Sequence, residues 1–291
     1  LQDSDSIDAA LDGASYVIHT ANPVGISEPS DPNEMILPSL QGTMGVMRAA
    51  SKHGVKRVVI TSSVAAIESQ TPETVECHPV LDEAHWSQLN AEGVRVSAYG
   101  QSKTIAEKAA WTFLKELPAD SHKPELVTIL PGLVLGEYIC GGVTSSPALI
   151  KSIIMNTLPG VPHMAFSVVD ISDVVQAHIK GLFEPEAAGQ RFIVVKENLW
   201  LVDICQMVHT AVPPEYKDDI QIEEMSKWPI YIAALFSNEA SFALTRWGLN
   251  VTYSNEKSKQ ILGLTYEADS ATSVAKTATT LIERGAISFL C

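Results

Sequence analysis

The sequence predicts an α/β fold, a parallel sheet with helices on both faces followed by a smaller, mostly helical lobe. Two observations predict it. Short β-branched runs alternate with longer helical patterns over residues 1–136, the order of βαβ units. The runs are also continuously apolar, as strands buried on both faces must be.

A helix over Ser6 to Asp12, stopped by Gly13, precedes the first strand, Tyr16 to Thr20. Met35 to His53 carries apolar residues at helical spacing, and Gly54 supplies the stop. Arg57 to Ser62 is the second strand, and a Glu/Pro/Thr-rich loop fills Glu68 to Ser97. Ala98 to Leu117 is a helix ended by Pro118, and Leu126 to Leu130 is a strand broken by Pro131-Gly132. The rhythm then changes. Gly141 to Pro147 is a loop, Ala148 to Asn156 a helix, Ala165 to Val169 a strand, Asp173 to Phe183 a helix and Phe192 to Val195 a strand. Helices over Val202 to Ala211, Ile230 to Arg246, Ser258 to Leu262 and Ala271 to Arg284 complete the chain. The expected division is 1–136 for the main sheet and 137–291 for an interwoven second lobe, with about 165–195 returning to the main sheet.

Composition narrows the function classes. Of 291 residues 46% are hydrophobic, too many for a disordered chain. Lys and Arg total 20 against 34 Asp and Glu, a net charge of −14, and this acidic balance argues against nucleic acid as a partner. No apolar run reaches the length of a membrane span. Cys77, Cys140, Cys205 and Cys291 show no CxxC spacing and read as free thiols in a reducing compartment, hence a cytoplasmic location. The chain opens on Leu1 rather than Met, so a fragment is expected.

Ligands of open parallel sheets sit beyond the carboxyl ends of the strands. Three strand ends therefore matter: Thr20 to Pro23, Thr61 to Ser63 and Leu130 to Gly132. The strongest constellation joins Ser63 to Tyr99 and Lys103 at the start of a helix. Residues four apart share a helix face, so Tyr99 and Lys103 point into one site. An ammonium beside a phenol lowers its pKa and makes it a usable general acid. Ser63 can donate to the same carbonyl oxygen as negative charge develops there. Tyr253 and Lys257 repeat the spacing, but they lie far from any strand–Ser signal and read as structural. Asp170 and Asp173 precede a helix and read as caps, not metal ligands, and no metal site is expected. His178 and Trp111 read as packed side chains. His85, in the loop between Ser63 and Tyr99, is a candidate substrate contact.

At these residues the chain resembles the extended short-chain dehydrogenase/reductases of the NAD(P)-dependent epimerase/dehydratase superfamily. Within them it is similar to the dihydroflavonol reductase, cinnamoyl-CoA reductase and yeast-type methylglyoxal reductase group. The matching stretches are His19 to Val24, Val58 to Ser63, Tyr99 to Lys103 with Ala106 to Trp111, Pro131 to Gly136 and Val169 to His178. The resemblance implies a Rossmann-like sheet and reduction of an aldehyde or ketone to an alcohol with NADP(H), NAD being possible. It implies Ser63, Tyr99 and Lys103 as catalytic residues. It places Leu1, Thr20, Ala21, Thr61, Tyr99, Lys103, Pro131, Gly132, Leu133, Val134 and Ser146 against the cofactor. Asn22, Pro23, Ser63, His85 and Tyr99 fall on the substrate side, and Ser39 falls where many relatives carry a fourth polar residue. A monomer or homodimer acting on a small carbonyl compound is expected.

The family opens with a strand, a glycine-rich turn and a helix that holds the pyrophosphate. No GxxGxxG or GxGxxG occurs in the 291 residues, and Gly42 and Gly45 lie inside a helix. By the resemblance about 55 to 65 residues of such a start are lacking. The expectation is an exposed strand edge at Tyr16 to Thr20 and a chain that binds cofactor weakly or not at all. Two alternatives follow: a silent relative without a working cofactor site, and a 3β-hydroxysteroid dehydrogenase-like enzyme. The second rests on the aromatic stretch of Trp228, Tyr231, Phe236, Phe242 and Trp247.

Overall fold

The computed structural model describes residues 2–24, 28–234 and 238–287. The chain runs α1 (Ser4–Leu11), β1 (Tyr16–His19), α2 (Asn33–Lys52), β2 (Arg57–Thr61), α3 (Pro72–Cys77), β3 (Val80–Leu81), α4 (Ala98–Glu116) and β4 (Glu125–Pro131). It continues through β5 (Leu133–Leu135), α5 (Ser145–Ile154), β6 (Ala165–Asp170), α6 (Ile171–Phe183), β7 (Arg191–Val194), β8 (Glu197–Trp200) and α7 (Leu201–Ala211). It ends with α8 (Lys227–Ala233), α9 (Asn238–Thr245), β9 (Thr252–Tyr253), α10 (Glu256–Leu262) and α11 (Ser270–Glu283).

The main sheet has the order β1-β2-β4-β7, with every neighbouring pair parallel. Successive strand residues serve opposite faces. Val58, Ile60 and Leu126 pack with Met47 and Ala50 of α2 and Ala110 of α4. Val59, Val127 and Ile129 pack on the other side with Val174 and Ala177 of α6. Both faces are covered, which is why these strands lack polar alternation. At the outer edge of β1, Tyr16 and Ile18 remain 40% and 42% exposed.

A second sheet, β5-β6-β8, has β5 parallel and β8 antiparallel to β6. It packs on α5, α7 and α11 through Leu135, Ile150, Val168, Ile204 and Val274. The two sheets touch at Gly132, between β4 and β5, where a Cβ would lie 2.2 Å from the Ser167 carbonyl oxygen. Only glycine permits that approach.

The sequence expectations need four amendments. The segment 68–97 is not all loop: it holds α3 and β3, and β3 pairs with the distant β9. Within 165–195, β7 joins the main sheet while β6 builds the second one. The strand β8 arises because β6 offers it an antiparallel partner. In place of one helix over Ile230 to Arg246 there are α8 and α9, with 235–237 outside the described residues. Phe236, the side chain of Phe242 and Cys291 also lie outside them. No helix among the described residues is long and apolar enough to cross a membrane.

Candidate active site

The site lies at the carboxyl end of β2, where the chain leaves the sheet and meets the first turn of α4. Helix α4 starts sharply. Its N-cap Ser97 accepts from the Gly100 amide at 3.0 Å, and the Glu28 carboxylate accepts from the Ala98 amide at 3.0 Å. This fixes Tyr99 and Lys103 one turn apart, with the ammonium 5.7 Å from the Tyr99 ring centre. Ser63 and Tyr99 border the same cleft, and Ser63 lies near enough to the phenol to favour its ionised form. Ser63 also accepts from the Ala65 amide at 3.1 Å, which holds its rotamer. The predicted trio is therefore together.

Charge in the site is set mainly by burial. Burial holds the Lys103 amine down at about 8, while the Glu107 carboxylate pulls in the other direction. Burial and the Lys103 charge hold His19 down at about 4, so its ring is neutral. Tyr99 departs from expectation. Shielding from water pushes its phenol above the ordinary value, against the lowering effect of Ser63. Burial wins, and the group is a protonated acid.

Lys103 donates to the Thr61 carbonyl at 2.9 Å. Thr61 uses its hydroxyl elsewhere, 2.6 Å from His178 Nε2. His178 Nδ1 lies 2.7 Å from the Val174 carbonyl, an acceptor. Nδ1 is thus the protonated nitrogen, and Nε2 accepts from Thr61. His178 secures the end of β2 from the α6 side.

Beneath the site lies a buried polar network. Glu107, one turn beyond Lys103, accepts from Ser62 at 2.6 Å, Thr128 at 2.7 Å and the Arg191 Nε at 2.7 Å. Arg191 also donates to the carbonyls of Glu83 and His85 and lies 3.6 Å over the Trp86 ring. One carboxylate thereby ties α4 to β2, β4 and β7.

A cleft of about 400 Å³ opens over Ser63 and Tyr99. Gly132, Leu133 and Ser146 of the predicted cofactor set border it. Ser146 accepts from the Val134 amide at 3.0 Å and so shapes that wall. On the other side of Lys103 a smaller cavity is bordered by His19, Ala21, Asn22 and Thr61. Asn22 accepts from buried Ser39 at 2.5 Å, so Ser39 acts on the site through Asn22. Pro131 lies in β4, paired with Val194.

Other predicted residues fall elsewhere. His85 borders neither cavity: its ring pairs with Asp82 at 2.8 Å and its carbonyl holds Arg191. Thr20 and Pro23 border neither cavity, and Thr20 is exposed. Leu1 lies outside the described residues. Asp170 caps α6, accepting from the Ser172 amide at 2.8 Å. No cluster of metal-ligating side chains occurs among the described residues.

Residues 1–195 match the model of the 3-beta hydroxysteroid dehydrogenase/isomerase family. The chain belongs to that family. It is 32% identical to an anthocyanidin reductase ((2S)-flavan-3-ol-forming) of Vitis vinifera over 229 residues, 75% of this chain and 65% of the relative. It is 32% identical to cinnamoyl-CoA reductase 1 of Petunia hybrida over 242 residues, 82% of this chain and 68% of the relative. Among solved structures it resembles yeast methylglyoxal/isovaleraldehyde reductase Gre2 complexed with NADPH, with a TM-score of 0.74 and 25% identity over 98% of this chain and 81% of that one. The chain thus spans about two thirds of the length of the curated relatives it matches. The extended short-chain dehydrogenase/reductase resemblance and the α/β Rossmann-like fold are both confirmed.

In this family member sequence reasoning missed one pair that borders the cleft, Glu68 and Arg246. Arg246 engages the carboxylate with both guanidinium nitrogens, at 2.9 Å and 3.1 Å. Tyr253, read as structural, borders the same cleft. Its apparent partner Lys257 turns instead toward Glu83, at 3.8 Å. A 178-residue separation hides the Glu68–Arg246 contact from any local pattern.

Proposed function

We propose that the chain carries the active site of an NADP(H)-linked reductase that converts an aldehyde or ketone to an alcohol, with Tyr99 as general acid. The observation that carries this reading is the convergence of Ser63 and Tyr99 on one cleft at a strand end, with buried Lys103 beside the Tyr99 ring. The site suits the nicotinamide ribose. Thr61 takes one of the three Lys103 donor hydrogens, so the ammonium has further donors for the ribose hydroxyls. NADPH, when bound, supplies the hydride; NAD(H) is the alternative donor.

The chain's residues do the rest. Ser63 and Tyr99 direct two hydroxyls at one carbonyl oxygen. As negative charge grows on that oxygen, both hydrogen bonds strengthen, an effect confined to the transition state. Tyr99 then releases its proton to the oxygen. Lys103 stabilises the phenolate left behind.

The test is turnover by Tyr99→Phe. Loss of the phenol should lower kcat by about 10²–10⁴-fold while NADPH binding, followed by its fluorescence, is unchanged. Turnover at the wild-type rate would overturn the role of Tyr99. If the wild type itself consumes no NADPH with any carbonyl compound, the reductase reading fails. The family match favours a second reading, a 3-oxosteroid substrate, and a panel of aldehydes, ring ketones and steroids separates the two.

A further inference from the structure

We propose that the Glu68–Arg246 pair makes the cleft selective for charge, admitting uncharged carbonyl compounds and excluding carboxylate-bearing ones. The proposal deepens the reductase reading and rests on it. Both side chains border the cleft that holds Ser63 and Tyr99. They come from opposite parts of the molecule, Glu68 from the segment after β2 and Arg246 from just beyond α9.

The geometry is a fork against a carboxylate, at 2.9 Å and 3.1 Å, with the side chains 20% and 15% exposed. Among the described residues bordering the cleft, Arg246 carries the one guanidinium or ammonium group. A substrate carboxylate needs such a group to offset its desolvation between apolar walls such as Leu149, Met164 and Phe166. Glu68 already occupies the fork, and its own charge repels a second anion. Rejection through an unpaired charge is a general means of specificity. The Glu68 charge also reaches Tyr99 and Tyr253, where it favours the protonated phenols.

The test compares 4-formylbenzoate with its methyl ester, two aldehydes that differ by the charge. Binding to the full 291-residue chain is measured by isothermal titration calorimetry, without any need for turnover. The wild type should bind the ester at least about tenfold more tightly than the carboxylate. Glu68→Gln removes the carboxylate charge that faces Arg246 and should move the ratio by about tenfold or more toward the carboxylate. The exchange of both residues, Glu68→Arg with Arg246→Glu, should restore the ester preference. Should Glu68→Gln fail to fold by circular dichroism, Arg246→Gln serves instead and should widen the ester preference. A wild type that binds no ester, or binds the carboxylate as well as the ester, overturns the proposal. So does a folded Glu68→Gln with the wild-type ratio, or tighter carboxylate binding by Arg246→Gln. NADPH consumption in the same samples separates the two readings: predicted binding ratios without reduction of the ester would defeat the reductase reading and leave charge selectivity intact.

Discussion

Lys103 sits in an environment that costs the fold stability. Its ammonium is buried and its amine held at about 8, well below the usual 10.5. A lowered lysine pKa means that the unfolded chain binds the proton more tightly than the folded one. Below about 8 the protein bears the full burial penalty, and stability rises as pH increases from there toward 10.5. Lys103→Met should therefore raise the thermal midpoint at pH 7 while abolishing turnover, and the gain should fade by pH 10.5; equal gains at both pH values would contradict the penalty. The penalty is on the order of 3 kcal/mol. Wild-type turnover should likewise fall as pH rises through about 8, because the charge that stabilises the Tyr99 phenolate is lost there. The local logic was legible in the sequence, since a Tyr and a Lys four apart at a helix start point the same way. The sign of the Tyr99 shift was not, because burial depends on the packed cleft and not on the spacing.

Between elements, Glu107 decides the alignment. Helix α4 carries Tyr99 and Lys103, and β2 delivers Ser63. The Glu107 carboxylate of α4 joins them by accepting from Ser62, the residue just beyond β2, with Arg191 of β7 closing the network. Glu107→Gln should destabilise the protein by about 3–5 kcal/mol in urea melts, because the Arg191 guanidinium is left buried and unpaired. A change under about 1 kcal/mol would show that the network is solvated. Ser62→Ala is the milder cut and should lower kcat more than it alters KM, since it loosens the angle between Ser63 and Tyr99 without touching the cleft wall. The helices and strands of this half were readable because each has its own apolar period and its own stop. The short strands β3, β8 and β9 were not, because two to four residues acquire strand structure only from a partner far along the chain.

For the molecule as a whole, the site is shared between the sheet domain and the segments that follow it. Ser63, Tyr99 and Lys103 come from the first half, whereas Met164, Phe166, Arg246 and Tyr253 come from the second and border the same cleft. The proposed catalytic trio was visible because it follows strand and helix order. The substrate wall was hidden because it is assembled by tertiary contacts alone, among them Asn198 donating to the Val251 carbonyl at 2.8 Å. The outer edge of β1 is the liability at this scale. Tyr16 and Ile18 are exposed there, and Tyr16 meets Phe183 of α6 with ring centres 5.5 Å apart. A charge on such an edge discourages pairing between molecules. Ile18→Lys should lower any concentration-dependent light scattering of the 291-residue chain; unchanged scattering would show that this edge drives no association.

The central claim is that two hydroxyls at one strand end act on one carbonyl oxygen. A double-mutant cycle on NADPH-dependent turnover, with Ser63→Ala, Tyr99→Phe and the pair together, tests it most directly. Each single change should cost about 10²–10⁴-fold, and the double change little more than the worse single one, as for groups that work as a unit. Wild-type turnover in a folded Tyr99→Phe, or losses that simply multiply, would contradict it.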